Sequence, residues 1–195
     1  MLSTRFTTAL SVATELHVYQ ERKGKEEPYV AHLLGVTSLV LENGGTEDEA
    51  IAALLHDTLE DQGYRFAGGA DALRAYIQDR FGQRVLEIVE ACTDADVQPK
   101  PPWKERKVDY LEHLKTADAS VLLVSCADKL HNGRSILQDY RQIGEALWSR
   151  FRGGKEGTLW YYRSLVNAFL ENPESPPYLA AELERTITEI ERLAT

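Results

Sequence analysis

The sequence predicts an all-α protein. Apolar residues recur at three- and four-residue steps along most of the 195 residues, which is the period of an amphipathic helix. No segment shows the alternation of apolar and polar residues that is typical of a half-buried strand. Glycine and proline clusters separate the helical segments, so we expect about nine or ten helices.

The predicted helices follow one another along the chain with short polar breaks. They cover residues 4–20, 28–41, 46–61, two short stretches on either side of Phe81-Gly82, 103–114, 121–138, 140–151, 157–170 and 179–193. Thr46 with Glu49 forms a capping-box pattern, and Asp118 precedes the helix at 121 as a candidate cap. Residues 94–102 form the clearest irregular segment, and we expect a mobile loop over residues 149–157. These breaks are too short for domain linkers, which favours a single domain over residues 1–195.

Composition and charge narrow the classes of partner. The net charge of -9 argues against non-specific binding to nucleic acid or to an anionic membrane. No stretch approaches the ~20 apolar residues of a membrane span. The two cysteines lie in apolar runs without metal-type spacing, and the N-terminus lacks the apolar core of a signal peptide. We therefore expect a cytoplasmic protein, either a monomer or a homodimer formed through its C-terminal helix.

One short motif carries four ionisable side chains directly after an apolar run. The run is Ala50–Leu55, and the motif that follows reads His56-Asp57-Thr58-Leu59-Glu60-Asp61. An unpaired buried charge is costly, so a compensating group is needed, and a divalent metal is the simplest candidate. In a continuous helix, Glu60 lies one turn from His56 and Asp61 one turn from Asp57. A metal-binding pair would then lie beside a carboxylate pair suited to proton transfer.

Two further ionisable groups on apolar helices complete a candidate ligand set. His32 and Asp128 each lie in an apolar stretch, and together with His56 and Asp57 they offer two nitrogens and two carboxylates. This set suits Mn²⁺, Fe²⁺, Zn²⁺ or Mg²⁺. Simpler alternatives remain open at this stage, because a lone core histidine is often only hydrogen-bonded and Asp128 has Lys129 as a neighbour.

The four candidate ligands, taken in order, resemble the His, His-Asp and distant Asp pattern of the HD-domain metal-dependent phosphohydrolases. Closer matches are found in the small alarmone hydrolases and the hydrolase domain of the Rel/Spo enzymes. The matching segments are Arg22-Lys23, Pro28-Tyr29-Val30-Ala31-His32, Ala52–Asp61 and Ala127–Arg134. The motifs span residues 5–170, and the helix at about 178–194 is expected to pack on this core.

The resemblance implies an all-α HD-domain fold and a hydrolase that removes the 3′-pyrophosphate of (p)ppGpp. His32, His56, Asp57 and Asp128 would bind one Mn²⁺, while Glu60 and Asp61 would orient and deprotonate water. The resemblance also implies that four residues contact substrate, namely Arg22, Lys23, Asn132 and Tyr161.

Residue chemistry adds Lys107, which together with Lys104 and Arg106 could reach a polyphosphate or could form only a solvated helix face.

Two segments depart from the family pattern, residues 98–107 and 149–157. Because of these departures, the sequence does not decide which nucleotide is the substrate. An HD phosphatase acting on NADPH, ppApp or a nucleoside monophosphate is therefore the first alternative. A non-catalytic nucleotide-binding regulator is the second alternative, and loss of a ligand or of the acidic pair would have favoured it.

Overall fold

The computed structural model describes residues 1–95, 97 and 99–195. Among these residues the protein is all-α, with ten α-helices and one 3₁₀ helix. The only pairing of extended backbone that the described residues show is an isolated bridge between Glu21 and Pro28. The predicted fold class is therefore confirmed.

The chain divides into two compact units, Met1–Pro101 and Pro102–Thr195. The boundary falls in the proline-rich segment, which is shorter than an ordinary domain linker. Residues 96 and 98 of that segment lie outside the described residues. The expectation of a single domain over residues 1–195 stays a prediction, and each unit is described by itself.

The first unit is built around one fully buried helix. Its helices are α1 (Thr4–Leu16), α2 (Val30–Glu42), α3 (Glu47–Leu55), α4 (Thr58–Gln62), α5 (Gly69–Phe81) and α6 (Gln83–Cys92). Helix α3 packs against α1, α2 and α6, and all six residues of its apolar run are fully buried. The predicted capping box is present, since the Thr46 hydroxyl accepts from the Glu49 N–H and the Glu49 carboxylate accepts from the Thr46 N–H. Burial of α3 is what brings the end of this helix, and the motif after it, to the middle of the unit.

The second unit contains the longest helix of the described residues. It consists of α7 (Trp103–Leu114), α8 (Ala119–Ile143), a 3₁₀ helix (Gly144–Arg150), α9 (Gly154–Glu171) and α10 (Pro177–Ala194). Helix α10 packs on α8 and α9, so the C-terminal helix has a place within its own unit. Asp118 caps α8 as predicted, because its carboxylate accepts from the backbone N–H groups of Ser120 and Val121.

Three predicted boundaries are wrong, each for a local reason. Helix α1 ends at Leu16 rather than 20, because the chain turns at His17 to form the extended bridge region. Helix α8 continues to Ile143, where Gly144 with a φ of 57° ends it, so no separate α-helix covers residues 140–151. Residues 149–157 are not a continuous loop, since the 3₁₀ helix reaches Arg150 and α9 begins at Gly154.

Candidate functional site

Residues 46–61, which were predicted to form one helix, form two helices that are joined at His56 and Asp57. Helix α3 ends at Leu55 and α4 begins at Thr58, while Asp57 has φ -94° and ψ 0°. The Asp61 N–H still donates to the Asp57 carbonyl at 3.0 Å, so α4 starts directly from the junction. The sequence carries no glycine or proline at this point, and the apolar periodicity conceals the break. Because of this break, the Asp57 side chain does not point in the direction that a continuation of α3 would give it.

Two buried histidines and Asp57 converge on one point of the first unit. His32 Nε2 lies 3.3 Å from His56 Nε2, and Asp57 Oδ2 lies 3.5 Å and 3.0 Å from these two nitrogens. Their ligand atoms all lie within 4.8 Å of one another. Two buried imidazole nitrogens this close to the oxygen of a partly buried carboxylate are compensated well by a shared cation.

The tautomer of His56 fits a metal ligand. His56 Nδ1 lies 2.9 Å from the Ala53 carbonyl oxygen, which can only accept a hydrogen bond. The Nδ1 atom therefore carries a proton, and Nε2 is the ring nitrogen that faces His32 and Asp57. Fixing one ring nitrogen by a carbonyl so that the other can bind is a recurrent feature of metal-binding histidines. The three residues therefore fit the divalent metal that the HD pattern implies.

Tyr29 connects this cluster to the segment after α1. Its hydroxyl donates to Asp57 Oδ2 at 2.6 Å, and its ring stacks on the His17 imidazole at 5.3 Å. Burial, and then the negative charge of Asp57, raise the pKa of Tyr29 well above its usual value. The phenol thus stays protonated and remains a donor to Asp57.

The predicted water-handling carboxylates, Glu60 and Asp61, have different partners. Lys100 Nζ donates to Glu60 Oε1 at 2.7 Å, whereas Gln20 Nε2 donates to Asp61 Oδ2 at 2.7 Å. Burial, and then the charge of Asp57, raise the pKa of Asp61 to about 6. A carboxyl group with this pKa can exchange a proton near neutral pH, as a general base requires.

A cavity of about 730 Å³ opens beside these carboxylates in the first unit. Its lining includes both carboxylates, their partners Gln20 and Lys100, and the guanidinium-bearing Arg65. It therefore offers acidic groups for water and cationic groups for phosphate in one space.

Arg22 and Lys23 lie in the turn between Gln20 and Tyr29, at the edge of the same unit. The Arg22 guanidinium lies over the Tyr29 ring, 5.6 Å from its centroid. Lys23 is exposed. The structure thus places Arg22 next to the residue that holds Asp57, while the predicted substrate contacts of Arg22 and Lys23 stay predictions.

Asp128 lies on α8 in the second unit, where it is 5% exposed. Its Oδ2 accepts from Lys129 Nζ at 2.6 Å and its Oδ1 accepts from Asn132 Nδ2 at 2.5 Å. Burial lowers the pKa of Lys129. The negative charge of Asp128, and then the interaction with Tyr110, together outweigh burial and bring the pKa of Lys129 well above its usual value. The lysine pairing that the sequence offered as an alternative is therefore present, and the role of Asp128 as fourth ligand stays a prediction.

Two other predicted substrate contacts meet within the second unit. The Lys107 ammonium lies over the ring of Tyr161, 4.8 Å from its centroid, and Tyr161 is 6% exposed. Trp103 packs edge-on against the same ring at 6.2 Å. Tyr161 is therefore a core residue of this unit, and its predicted substrate contact, like those of Lys107 and Asn132, stays a prediction.

Three site residues were not predicted from the sequence: Gln20, Tyr29 as a partner of Asp57, and Lys100. Each contacts a carboxylate 28 to 41 residues away along the chain. Gln20 and Tyr29 flank Arg22-Lys23, so their proximity to a recognised motif was the available signal. Lys100 lies in the segment that departs from the family pattern, and no pattern marks it.

Comparison with known proteins gives the family. A model of the HD domain matches residues 9–159, and residues from both compact units fall within this match. The Xenopus tropicalis guanosine-3′,5′-bis(diphosphate) 3′-pyrophosphohydrolase MESH1 is 39% identical over 147 residues, which cover 74% of each chain. The Escherichia coli bifunctional (p)ppGpp synthase/hydrolase SpoT is 30% identical over 68% of this chain, but the match spans only 18% of SpoT.

Solved structures agree with this assignment. The Listeria monocytogenes protein lmo0812 is 28% identical, with a TM-score of 0.70 over 83% of this chain and 99% of that one. A metazoan ortholog of SpoT described as hydrolysing ppGpp gives a TM-score of 0.75 over 100% of this chain and 99% of that one. At 24% identity this second likeness shows the fold alone. Within the described residues, no helix has the length and apolarity needed to cross a membrane. By its sequence match over residues 9–159 and its similarity to MESH1, this chain belongs to the HD-domain family.

Proposed function

We propose that this protein hydrolyses the 3′-pyrophosphate of (p)ppGpp, giving GDP or GTP and pyrophosphate, with Mn²⁺ as its metal. The observation that carries the proposal is the convergence of His32, His56 and Asp57 in the same unit as the Glu60-Asp61 pair. Two relatives that bear this activity in their names match 74% and 66% of this chain.

In this proposal the metal site holds one divalent ion through His32, His56 and Asp57, with Asp128 as the fourth ligand. An ion bound there supplies Lewis acidity and lowers the pKa of water. The choice of Mn²⁺ over other divalent ions rests on the family resemblance, because ligands of this type bind several such ions.

The protein's own residues orient water and receive its proton. In the reaction, the water oxygen bonds to the phosphorus nearest the ribose, and the bond from that phosphorus to the 3′ oxygen breaks. We assign acceptance of the water proton to the Glu60-Asp61 pair, and the departing 3′ oxygen takes up a proton. Phosphoryl transfer depends mainly on positioning and charge neutralisation, so cationic contacts complete the requirements. For these contacts we propose Arg22, Lys23, Asn132 and Lys107, and we propose a hydrogen bond from Tyr161.

The decisive experiment is a substrate panel. The metal-stripped protein is reconstituted with Mn²⁺ and incubated with ppGpp, pppGpp, ppApp, NADPH and nucleoside monophosphates, and the products are identified. Release of pyrophosphate from ppGpp supports the proposal. Orthophosphate from NADPH or from a monophosphate would overturn it in favour of another HD phosphatase, and no turnover with any substrate would favour a binding regulator.

Matched variants test the residue assignment. Asp57→Asn should lose both metal binding and turnover, whereas Glu60→Gln should keep the metal and lose ~10²–10⁴-fold in rate. Asp71→Asn is the control, since Asp71 is an exposed carboxylate of α5 in the same unit and pairs only on the surface with Arg74. Full turnover by Asp57→Asn would refute the metal assignment.

A cytoplasmic location and a homodimer both stay predictions.

A further inference from the structure

We infer that Gln20 is a positioning residue for Asp61, and that His17 sets the orientation of the Gln20 amide. The kinetic part of this inference rests on the proposed function, while the hydrogen-bond geometry stands independently of it. The residues concerned lie in the first unit, in the turn after α1 and in α4. They form one continuous chain of side-chain hydrogen bonds that ends on Asp61.

The backbone of Gln20 is held on both sides. Its N–H donates to the His17 carbonyl at 2.9 Å, and its carbonyl accepts from the Tyr29 N–H at 2.9 Å. The extended bridge between Glu21 and Pro28 follows immediately. The side chain of Gln20 therefore starts from a fixed point at the base of a closed turn.

The amide of Gln20 has one favourable orientation. Its Nε2 donates to Asp61 Oδ2 at 2.7 Å, while its Oε1 accepts from Gln62 Nε2 at 2.5 Å. His17 Nδ1 lies 2.8 Å from the same Oε1, so it also donates to this oxygen. In the opposite orientation, the amide oxygen would face the ionised Asp61 carboxylate, and two acceptors at this distance repel each other. Two donors on one side and one acceptor on the other therefore fix the amide.

His17 can play this part because it is itself locked as a neutral ring. It is 2% exposed, and burial lowers the pKa of its imidazole below the usual value. The ring stacks on Tyr29 with an interplanar angle of 14°, and its Nε2 faces the Thr58 hydroxyl at 3.5 Å. With the proton on Nδ1, Nε2 is left as an acceptor for that hydroxyl. The ring thus presents a fixed donor to Gln20.

The chain matters because Asp61 faces the cavity together with Gln20. Both residues line the space of about 730 Å³ that also contains Glu60. An amide that holds one carboxylate oxygen restricts rotation of the carboxyl group and so fixes where the other oxygen points. Misplacement of a reacting group by about 1 Å can cost ~10²-fold in rate, so this restraint bears on turnover. A purely structural alternative is that the same bonds only anchor the five-residue helix α4.

A double-mutant cycle separates these two roles. Gln20→Leu keeps the size of the side chain and removes the donor to Asp61. Acting through Asp61, it should lower kcat by ~10–10²-fold in the wild-type background, with KM and Mn²⁺ affinity within about twofold. In an Asp61→Asn background it should change the single-turnover rate less than about twofold, because the carboxylate it positions is absent.

The matched control is Gln78→Leu, which removes an exposed glutamine of α5 in the same unit. It should leave kcat unchanged. An equal loss of rate from Gln20→Leu in both backgrounds, or a loss confined to KM or metal affinity, would overturn the positioning role.

A spectroscopic readout tests the geometry without turnover. In the ¹H–¹⁵N spectrum of the metal-free protein, the histidine whose signals vanish in His17→Phe should be a neutral ring with its proton on Nδ1. A proton on His17 Nε2, or a charged ring at pH 7, would overturn the inference. If the wild-type protein releases pyrophosphate from no alarmone, the proposed function fails, and this spectrum still decides the orientation of Gln20.

Discussion

The Tyr29 hydroxyl donates a hydrogen bond of 2.6 Å to Asp57 Oδ2, the same oxygen that lies 3.0 Å from His56 Nε2. One short segment after α1 therefore supports both halves of the site. Tyr29 holds the carboxylate of the metal cluster, and Gln20, nine residues earlier, holds Asp61. The two residues that flank the turn carrying Arg22-Lys23 are thus both bonded to the motif that follows α3.

Tyr29→Phe should weaken divalent metal binding by ~10-fold, because partners that orient a metal ligand commonly contribute this much. The phenyl ring keeps the stack on His17, so only the hydrogen bond to Asp57 is removed. Calorimetric titration of metal-free protein with Mn²⁺ measures the effect. Tyr64→Phe, at an exposed tyrosine of the same unit, should bind the metal normally. Equal affinities in all three proteins would show that Asp57 needs no help from Tyr29.

Asp61→Asn should stabilise the metal-free protein while abolishing most of its turnover. The folded state raises the pKa of Asp61 from 3.8 to about 6, through burial and the charge of Asp57, so the ionised carboxylate is a cost to folding. The sign follows from proton linkage: between these two pKa values the folded state binds more protons, so stability falls as the pH rises through this window. Above about pH 6 the cost is complete, and we expect a gain for the asparagine variant on the order of 1–2 kcal/mol.

Urea unfolding at pH 7.5, 6 and 5 measures this difference between the two metal-free proteins. The gain should be largest at pH 7.5 and should shrink as the pH falls from about 6 towards 4, where both side chains are uncharged. A variant less stable than the wild type at pH 7.5 would contradict a raised pKa at this position.

The parts of the fold that sequence predicts well are those governed by neighbouring residues. Helix α7 has the bounds expected from its periodicity, and the caps at Thr46 and Asp118 form as their spacing indicates. The junction at His56 and Asp57 was missed because the apolar pattern of α3 runs up to it without a glycine or proline. Local signals thus fix the existence of the helices better than the points where they break.

The pairings within the site depend on distant residues, so periodicity carries no information about them. Gln20 and Asp61 are 41 residues apart, and Lys100 and Glu60 are 40 apart. Polar residues in turns, such as these two donors, also have no apolar face that would mark them. The ligand types could be read from sequence because metal chemistry restricts them to a few side chains, whereas many side chains can donate a hydrogen bond.

Lys100→Met should raise KM for the pyrophosphorylated nucleotide by ~10-fold, if the proposed function holds. Lys100 pairs with Glu60 and lines the same cavity, so its ammonium is placed to meet a phosphate that approaches the water-handling pair. Steady-state kinetics at two salt concentrations test this, since the contribution of a phosphate contact falls with added salt. Lys115→Met removes an exposed lysine that pairs with Glu112 on α7, and it should change neither KM nor its salt dependence. An unchanged KM in Lys100→Met would show that Lys100 pairs with Glu60 but does not contact the phosphate of the substrate.

Gly153→Ala should destabilise the second unit by about 1–3 kcal/mol through overpacking. A Cβ at this position would lie 2.7 Å from Trp103 Cη2 and 2.9 Å from Cζ2. The indole cannot retreat easily, because Trp160 and Tyr161 pack edge-on against it at 6.3 Å and 6.2 Å. The backbone itself accepts alanine, since Gly153 has φ -80° and ψ -4°. The expected loss therefore reports the contact with Trp103 and not backbone strain.

Gly157→Ala is the matched control, because the same ring lies 3.3 Å from the added Cβ. Gly157 is inside α9, where alanine is favoured over glycine by roughly 1 kcal/mol, and this gain offsets the milder contact. Thermal unfolding should give a lower Tm for Gly153→Ala, by about 2–4 °C per kcal/mol, and a nearly unchanged Tm for Gly157→Ala. Equal Tm values for Gly153→Ala and the wild type would show that the Trp103 ring shifts at little cost.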